Sequence, residues 1–380
     1  MLMKSSMALM AAMATLFASC SNDEIRNTAS PVEIGFNTTL SGVTRTVLDN
    51  SNFAQFKVTA LNSTDGSAYF SDEKVSKDGN SWFTEKHYYW PDNALNFYAY
   101  APTDLSNVTI NQTTKQIADF VPVYNVENQQ DIVVAIGSGS KENNTDTGVR
   151  LNFKHELAQI EVMATNERPS TYNVDVLGVK LGRVKTKATM TFPSEAGNRA
   201  TWTDPTEVTT YGIKYDEAIT LSSEAQSLMG GNDNWLMIPQ SLTAWDINNT
   251  EDQGFYLSVL LRITDKSGTV IYPQPKEGQE QSEVTYAYSA VPVSATWAAG
   301  KKYTYTLKFF KDNGGAGVTD PDPTNPDPDV PGGEDPDVDP NPIPDDTPGG
   351  GGNIMQGTIF FTVNIVDWIP GDSEDITIDN

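Results

Sequence analysis

Cysteine is nearly absent from this chain. One residue, Cys20, stands among 380, which excludes a disulfide framework and any Cys-based metal site. Histidine is almost as scarce, with only His87 and His155. No HExxH, Gly-rich phosphate loop or nucleophile elbow is present. His155 lies in an otherwise apolar, strand-like run and reads as a satisfied core or edge residue rather than a general base. Paired carboxylates acting on a glycan stay open, since Asp and Glu are plentiful. Positive charge is in deficit too: 25 Lys and Arg face 50 Asp and Glu, a formal net charge of −25. A polyanion repels phosphate backbones, so nucleic acid is excluded as a partner. Sustained helical periodicity is missing after residue 20, and the expectation is a chain with no enzymatic activity, cofactor or metal.

The lone thiol is informative by its position. Lys4 supplies a positive start, Met7 to Phe17 form an apolar stretch, and Ala18 and Ser19 precede Cys20. The stretch is too short to span a bilayer and has the form of a secretory signal. Cys20 at the cleavage point resembles a bacterial lipobox, although Phe17 stands where Leu is usual. Residues 1–19 are therefore expected to be a signal peptide and 20–30 a tether lipidated at Cys20, holding the protein to the outer membrane by buried hydrocarbon.

From residue 31 onward the dominant pattern is alternation. Val32, Ile34 and Phe36 alternate with Glu33, Gly35 and Asn37. Phe56, Val58 and Ala60 obey the same rule, as do Val149, Leu151 and Phe153, then Ile160, Val162 and Ala164. Later strands read at Phe255 to Thr264 and Lys302 to Phe310. Many short strands with turns between them predict antiparallel sandwiches. The turn Asn166-Glu167-Arg168-Pro169 suggests a boundary, with sandwich domains over 31–167 and 168–317.

From Val318 to Asn353 the composition changes. These 36 residues hold nine Asp, one Glu, ten Pro and no base. The prolines block helix and sheet pairing, and like charges keep the chain extended. At ~3.1 Å per residue it could reach on the order of 100 Å. The alternating prolines splay the carboxylates, so a solvated, disordered linker is expected over 318–353 rather than a Ca²⁺ site. The segment 354–380 then carries a detached strand. Ile359, Phe361, Val363 and Ile365 form its apolar row. A lone strand must pair with a sheet, its own or another molecule's.

Several phrases taken in order, among them Thr44-Arg45-Thr46, Tyr89-Trp90-Pro91, Leu95 to Pro102, Val149 to Ala158, Leu236 to Gln240 and Trp297 to Tyr305, together with the lipoprotein start, resemble the fimbrillin-like proteins of Bacteroidetes, the subunits of type V pili. The resemblance implies an all-β chain of two tandem transthyretin-like antiparallel sandwiches, exported as a lipoprotein to the cell surface and fimbrium. It implies that an Arg-specific, trypsin-like protease cuts after Arg45 and removes the first strand, about Pro31 to Leu40. Arg26 is a rival site, but a cut there leaves that strand in place. A strand from another subunit then fills the groove by β-augmentation, with Ile359, Phe361, Val363 and Ile365 as the inward row of the donor. The expected partners are other pilus subunits, the outer membrane, and a host glycan or protein receptor. The alternative is a surface lipoprotein that binds carbohydrate or a host ligand without polymerising. The acidic tract departs from the family pattern and leaves open whether the terminal strand pairs in cis or in trans.

Overall fold

Alternating residues form strands almost throughout. The computed structural model describes residues 31–40, 53–79, 81–231, 234–249, 252–323, 338–340, 342–343, 350–367 and 376–379. Among them one four-residue helix, Lys141–Asn144, and two short 3-10 turns are the only helical elements.

The first domain closes its sheet into a ring. Around it run Gly35–Leu40, Ser81–Thr84, Ala68–Asp78, Gln55–Asn62, Leu95–Ala101, Val133–Gly139 and Val149–His155. Gly35–Leu40 completes the circle. It lies parallel to Val149–His155, from Phe36 beside Val149 to Leu40 beside Phe153, and antiparallel to Ser81–Thr84. Closure leaves no open edge for stray pairing. The inward row of each strand fills the ring with aromatic rings. Phe36 meets Phe56 and Phe97 edge-on at 5.9 and 5.6 Å, and Phe53 meets Phe153 at 4.8 Å.

The second domain packs sheets around its own core. One sheet holds Ala158–Asn166 beside Lys301–Phe309, then Phe360–Asp367 and Ile376–Asp379. The other runs through Val318–Thr319, Ala287–Pro292, Tyr256–Asp265 and the long strand Tyr172–Thr191. The expected boundary at 167 falls inside this domain. Ala158–Asn166 pairs in parallel with Lys301–Phe309, and Ala158, Ile160, Val162 and Ala164 belong to the second core. The chain crosses over at His155 to Ala158. The turn at Arg168 is real, since Thr171 and Tyr172 both donate to the Arg168 carbonyl, but it joins two strands of one domain.

A hairpin from the first domain, Val108–Ile110 with Lys115–Phe120, reaches across and pairs with Ala188–Thr191 of the long strand. Around it Tyr100, Ile117, Ile132, Leu157, Met190 and Leu236 form a buried apolar seam between the domains.

The terminal strand is not detached and the acidic tract is not wholly a solvated linker. Phe360–Asp367 is hydrogen-bonded along its length to Lys301–Phe309 of the same chain. The tract opens with the strand Val318–Thr319, paired to Ala287–Pro292. Composition favours solvation, but pairing partners and buried cations elsewhere in the fold capture these residues.

Candidate functional site: the first and terminal strands

The first strand is held by main-chain pairing on both sides and by its inward row. Ile34, Phe36 and Leu40 are buried, while Asn37 and Thr39 face outward. Ahead of it, Ile34 N–H donates to Tyr88 O at 2.8 Å, and Trp90 N–H donates to Val32 O at 2.9 Å. Glu33 Oε1 sits 2.6 Å from His87 Nδ1. Gly148, at φ +68°, lets the strand lie close, since a Cβ there would meet the Gly35 and Phe36 backbone at 3.1 Å. Such positive φ with no room for a side chain calls for glycine. Taking the strand away would open a slot between Ser81–Thr84 and Val149–His155, lined by Phe56, Phe97 and Phe153. Arg45 lies five positions after Leu40 in the sequence. Arg45 and Cys20 fall outside the described residues.

The terminal strand places its row as its alternation predicts. Ile359, Phe361 and Val363 are buried in the second core, and Ile365 is half-buried against it. The Phe361 ring lies 6.4 Å from that of Tyr305, whose hydroxyl accepts from Trp297 Nε1 at 2.9 Å. Phe360, Thr362 and Asn364 take the opposite face. Lys301 forms an ion pair with Asp367 at the strand's far end. Ile376–Asp379 pairs along its other side, so the strand is enclosed between neighbours. All four row residues therefore serve their own domain in this structure.

Both histidines have structural surroundings. His155 is buried, with Nδ1 at 2.5 Å from Asp131 Oδ2, and its carbonyl accepts from Arg199 at 2.6 Å. The next residue, Glu156, is fully buried where the chain crosses between domains. Its N–H donates to Ile132 O at 2.8 Å and its carbonyl accepts from Trp202 Nε1 at 2.9 Å. Burial pushes its carboxyl up to about 7, outweighing the Ala200 N–H, Arg199 and Lys154. This is the arrangement of a packed junction. Among the described residues no group of His, Cys, Asp and Glu is placed to hold a metal ion, and no helix is long and apolar enough to cross a membrane.

Sequence reading missed one cluster. Lys180, on the long strand, is 1% exposed, and its Nζ lies 3.0 Å from Asp320 Oδ2 at the start of the acidic tract. Lys180 sits in the run Val176-Leu177-Gly178-Val179-Lys180-Leu181. A lysine in so apolar a stretch signals a buried cation that needs a carboxylate.

The fimbrillin-like family matches residues 44–320, most of the chain. The chain belongs to that family. The match covers the body between the two strands and includes neither Gly35–Leu40 nor Phe360–Asp367. Solved structures similar to this fimbrillin-like chain include a fimbrial protein from Bacteroides vulgatus, at 15% identity over 73% of this chain and 94% of that one, with a TM-score of 0.43. Another is the fimbrial anchor protein Mfa2 from Porphyromonas gingivalis, at 14% identity over 74% and 92%, with a TM-score of 0.28. Identities and scores this low carry no further argument, and membership rests on the family match. No curated protein matches the sequence. As a fimbrillin-like protein the chain is a structural or adhesion subunit of a cell-surface appendage, and it is not an enzyme.

Proposed function

We propose that this fimbrillin-like chain is a pilus subunit that assembles by exchanging β-strands with other subunits. In this reading it is exported as a lipoprotein anchored through Cys20, and both domains are transthyretin-like. A protease cut after Arg45 removes the anchor and the first strand together. The emptied slot in the first domain then takes a strand from another subunit.

The observation that carries this reading is a correspondence between the two strands. The inward row of the first is Ile34, Phe36, Thr38 and Leu40. The row of the terminal strand is Ile359, Phe361, Val363 and Ile365. Both read Ile, Phe, a small β-branched residue, then a larger aliphatic one, at the period of two that puts them on one face. A terminal strand laid in the slot would thus offer closely matching shapes to Phe56, Phe97 and Phe153. Thr38 and Val363 are near-isosteric, and the exchange of hydroxyl for methyl favours burial. Main-chain pairing to Val149–His155 and Ser81–Thr84 supplies affinity, and the row supplies register.

Burying four such side chains is worth roughly 6–12 kcal/mol before ordering costs. The terminal strand already makes such contacts at home, so moving it into another subunit's slot exchanges one burial for another of similar size. Trypsin treatment of the purified lipid-free protein is expected to give ladders on unheated SDS gels. Arg45→Ala and deletion of 354–380 should each abolish them, and ladders that persist in both variants overturn the mechanism. Filament-derived protein beginning at Thr46 would support the cut.

A further inference from the structure

The acidic tract leaves the sheet and returns to nearly the same place. Beyond Lys301–Phe309, Gly315 N–H donates to Thr358 O at 2.9 Å, Ile354 N–H to Gly317 O at 2.9 Å, and Gly317 N–H to Gly357 O at 2.7 Å. Higher up, Thr319 N–H donates to Gly352 O at 2.8 Å and Gly351 N–H to Thr319 O at 2.9 Å. At the top, a Cβ on Gly350 would meet the Asp320 carbonyl carbon at 2.7 Å. Asp320 and Gly350 are therefore neighbours, and the chain between them is a loop on a zipped base. A loop whose ends meet adds no reach to the strand beyond it.

The loop is also gripped from below. Lys180 Nζ pairs with Asp320 Oδ2 at 3.0 Å, donates to Asp322 O at 2.6 Å and lies 4.0 Å from the centre of the Tyr288 ring. Arg183 Nε donates to Asp322 Oδ2 at 3.0 Å, and Tyr256 Oη donates to Asp320 Oδ1 at 3.2 Å. Further along the tract, Val338 packs on Leu177, Leu260 and Tyr288. Beside it Asp339 N–H donates to Tyr286 O at 2.7 Å, and Lys276 Nζ donates to Asp339 Oδ1 at 3.0 Å. A lysine this buried cannot lose its carboxylate cheaply, because the charge left behind has no water.

We infer that the tract is a latch rather than a tether: the Asp320–Lys180 pair and the zipped base hold the terminal strand in its own domain, and donation to another subunit starts by peeling the tract off the second domain. Pulling the strand out strips Thr358 from Gly315, then Gly357 and Ile354 from Gly317, and the next grip along is Thr319 with its neighbour Asp320. The ion pair and the strand are thus coupled through a short, continuous ladder. This latch regulates the exchange proposed above and rests on that reading for its purpose, though its mechanics are those of a single molecule.

The test is hydrogen exchange read by mass spectrometry on the intact, monomeric chain, which does not require polymerisation. In Asp320→Asn the amides of 360–367 should exchange faster by about tenfold or more, with the first domain unchanged. The double variant Lys180→Met with Asp320→Leu replaces the pair by apolar groups and should restore protection. Faster exchange at 318–322 with unchanged protection at 360–367 overturns the latch. If Asp320→Asn does not fold, Asp322→Asn, on the more exposed grip, should give a smaller rise in the same amides, and no rise there overturns it equally. Replacing 324–336 by a short Gly-Ser bridge leaves the Asp320–Lys180 pair and the zipped base in place, so protection at 360–367 should survive, and its loss overturns the latch. Ladders absent in every variant, with the exchange pattern as expected, count against strand exchange and leave the latch standing.

Discussion

Ile34, Phe36, Thr38 and Leu40 on the first strand and Ile359, Phe361, Val363 and Ile365 on the terminal strand present nearly the same row, yet the chain holds them differently. The first strand closes a ring, held by its pairing and packing, by the contacts of residues 32–34 and by Thr39 Oγ1, which donates to Asn152 Oδ1 at 2.6 Å. The terminal strand lies between two neighbours and is tied to a buried ion pair through its zipped base. The first is held by contacts of its own residues, and the terminal strand by ties that run on beyond it through residues 350–358. Equivalent shapes thus need not mean equivalent exchange, because the barrier lies in what surrounds a strand as much as in its own residues.

The largest expected effect sharpens that contrast. Phe36 is 4% exposed and touches two rings. Phe36→Ala should lower the stability of the uncut chain by roughly 3–5 kcal/mol in urea denaturation. Phe361 is 8% exposed at the margin of its core with one ring neighbour at 6.4 Å, so Phe361→Ala should fall at about 3 kcal/mol or below. A larger loss at Phe361 than at Phe36 would mean that the terminal strand, not the first, is the keystone.

The seam between the domains gives the next effect, and it is one of pH. Burial raises the Glu156 carboxyl from 4.5 to about 7 in the folded chain. A folded value above the unfolded one means that the contribution is full below about 4.5. It falls as pH rises and is gone above about 7. Across that window stability should drop by on the order of 3 kcal/mol from this group. Glu156→Gln should flatten the slope in denaturant titrations between pH 5 and 7. An unchanged slope would mean that Glu156 is solvated in the folded chain, and that the domains meet less tightly than the first strand's ring is closed.

Strand positions and facing were legible in the sequence because alternation is local. Phe36, Phe56, Val149 and the terminal row all point as their period of two implies. The domain crossing was not legible. Asn166 to Pro169 reads as a turn whether it lies within a domain or between two, and the true crossing at His155 to Ala158 has no breaker residue. The tract misled for a different reason. Asp and Pro speak for solvation when read by composition, but Asp320 is claimed by a lysine 140 positions earlier, and such pairings carry no local mark. Lys180 in its apolar run was the one readable hint.

The smallest expected effect tests the equivalence of the two strands most directly. If the terminal strand can occupy the slot, the outward position of Gly35 must accept the side chain of Phe360. A Cβ at Gly35 would come within 3.2 Å of the Phe83 ring, which is tighter than ordinary contact. Phe83 is 36% exposed, however, so its ring can swing toward solvent. A phenylalanine also suits a strand better than glycine does, by up to ~1 kcal/mol. Gly35→Phe should therefore change stability by no more than about 1 kcal/mol in either direction. A loss well beyond that would show that the slot discriminates against Phe360. The matching inward rows would then be common to strands of this kind rather than a sign that one replaces the other.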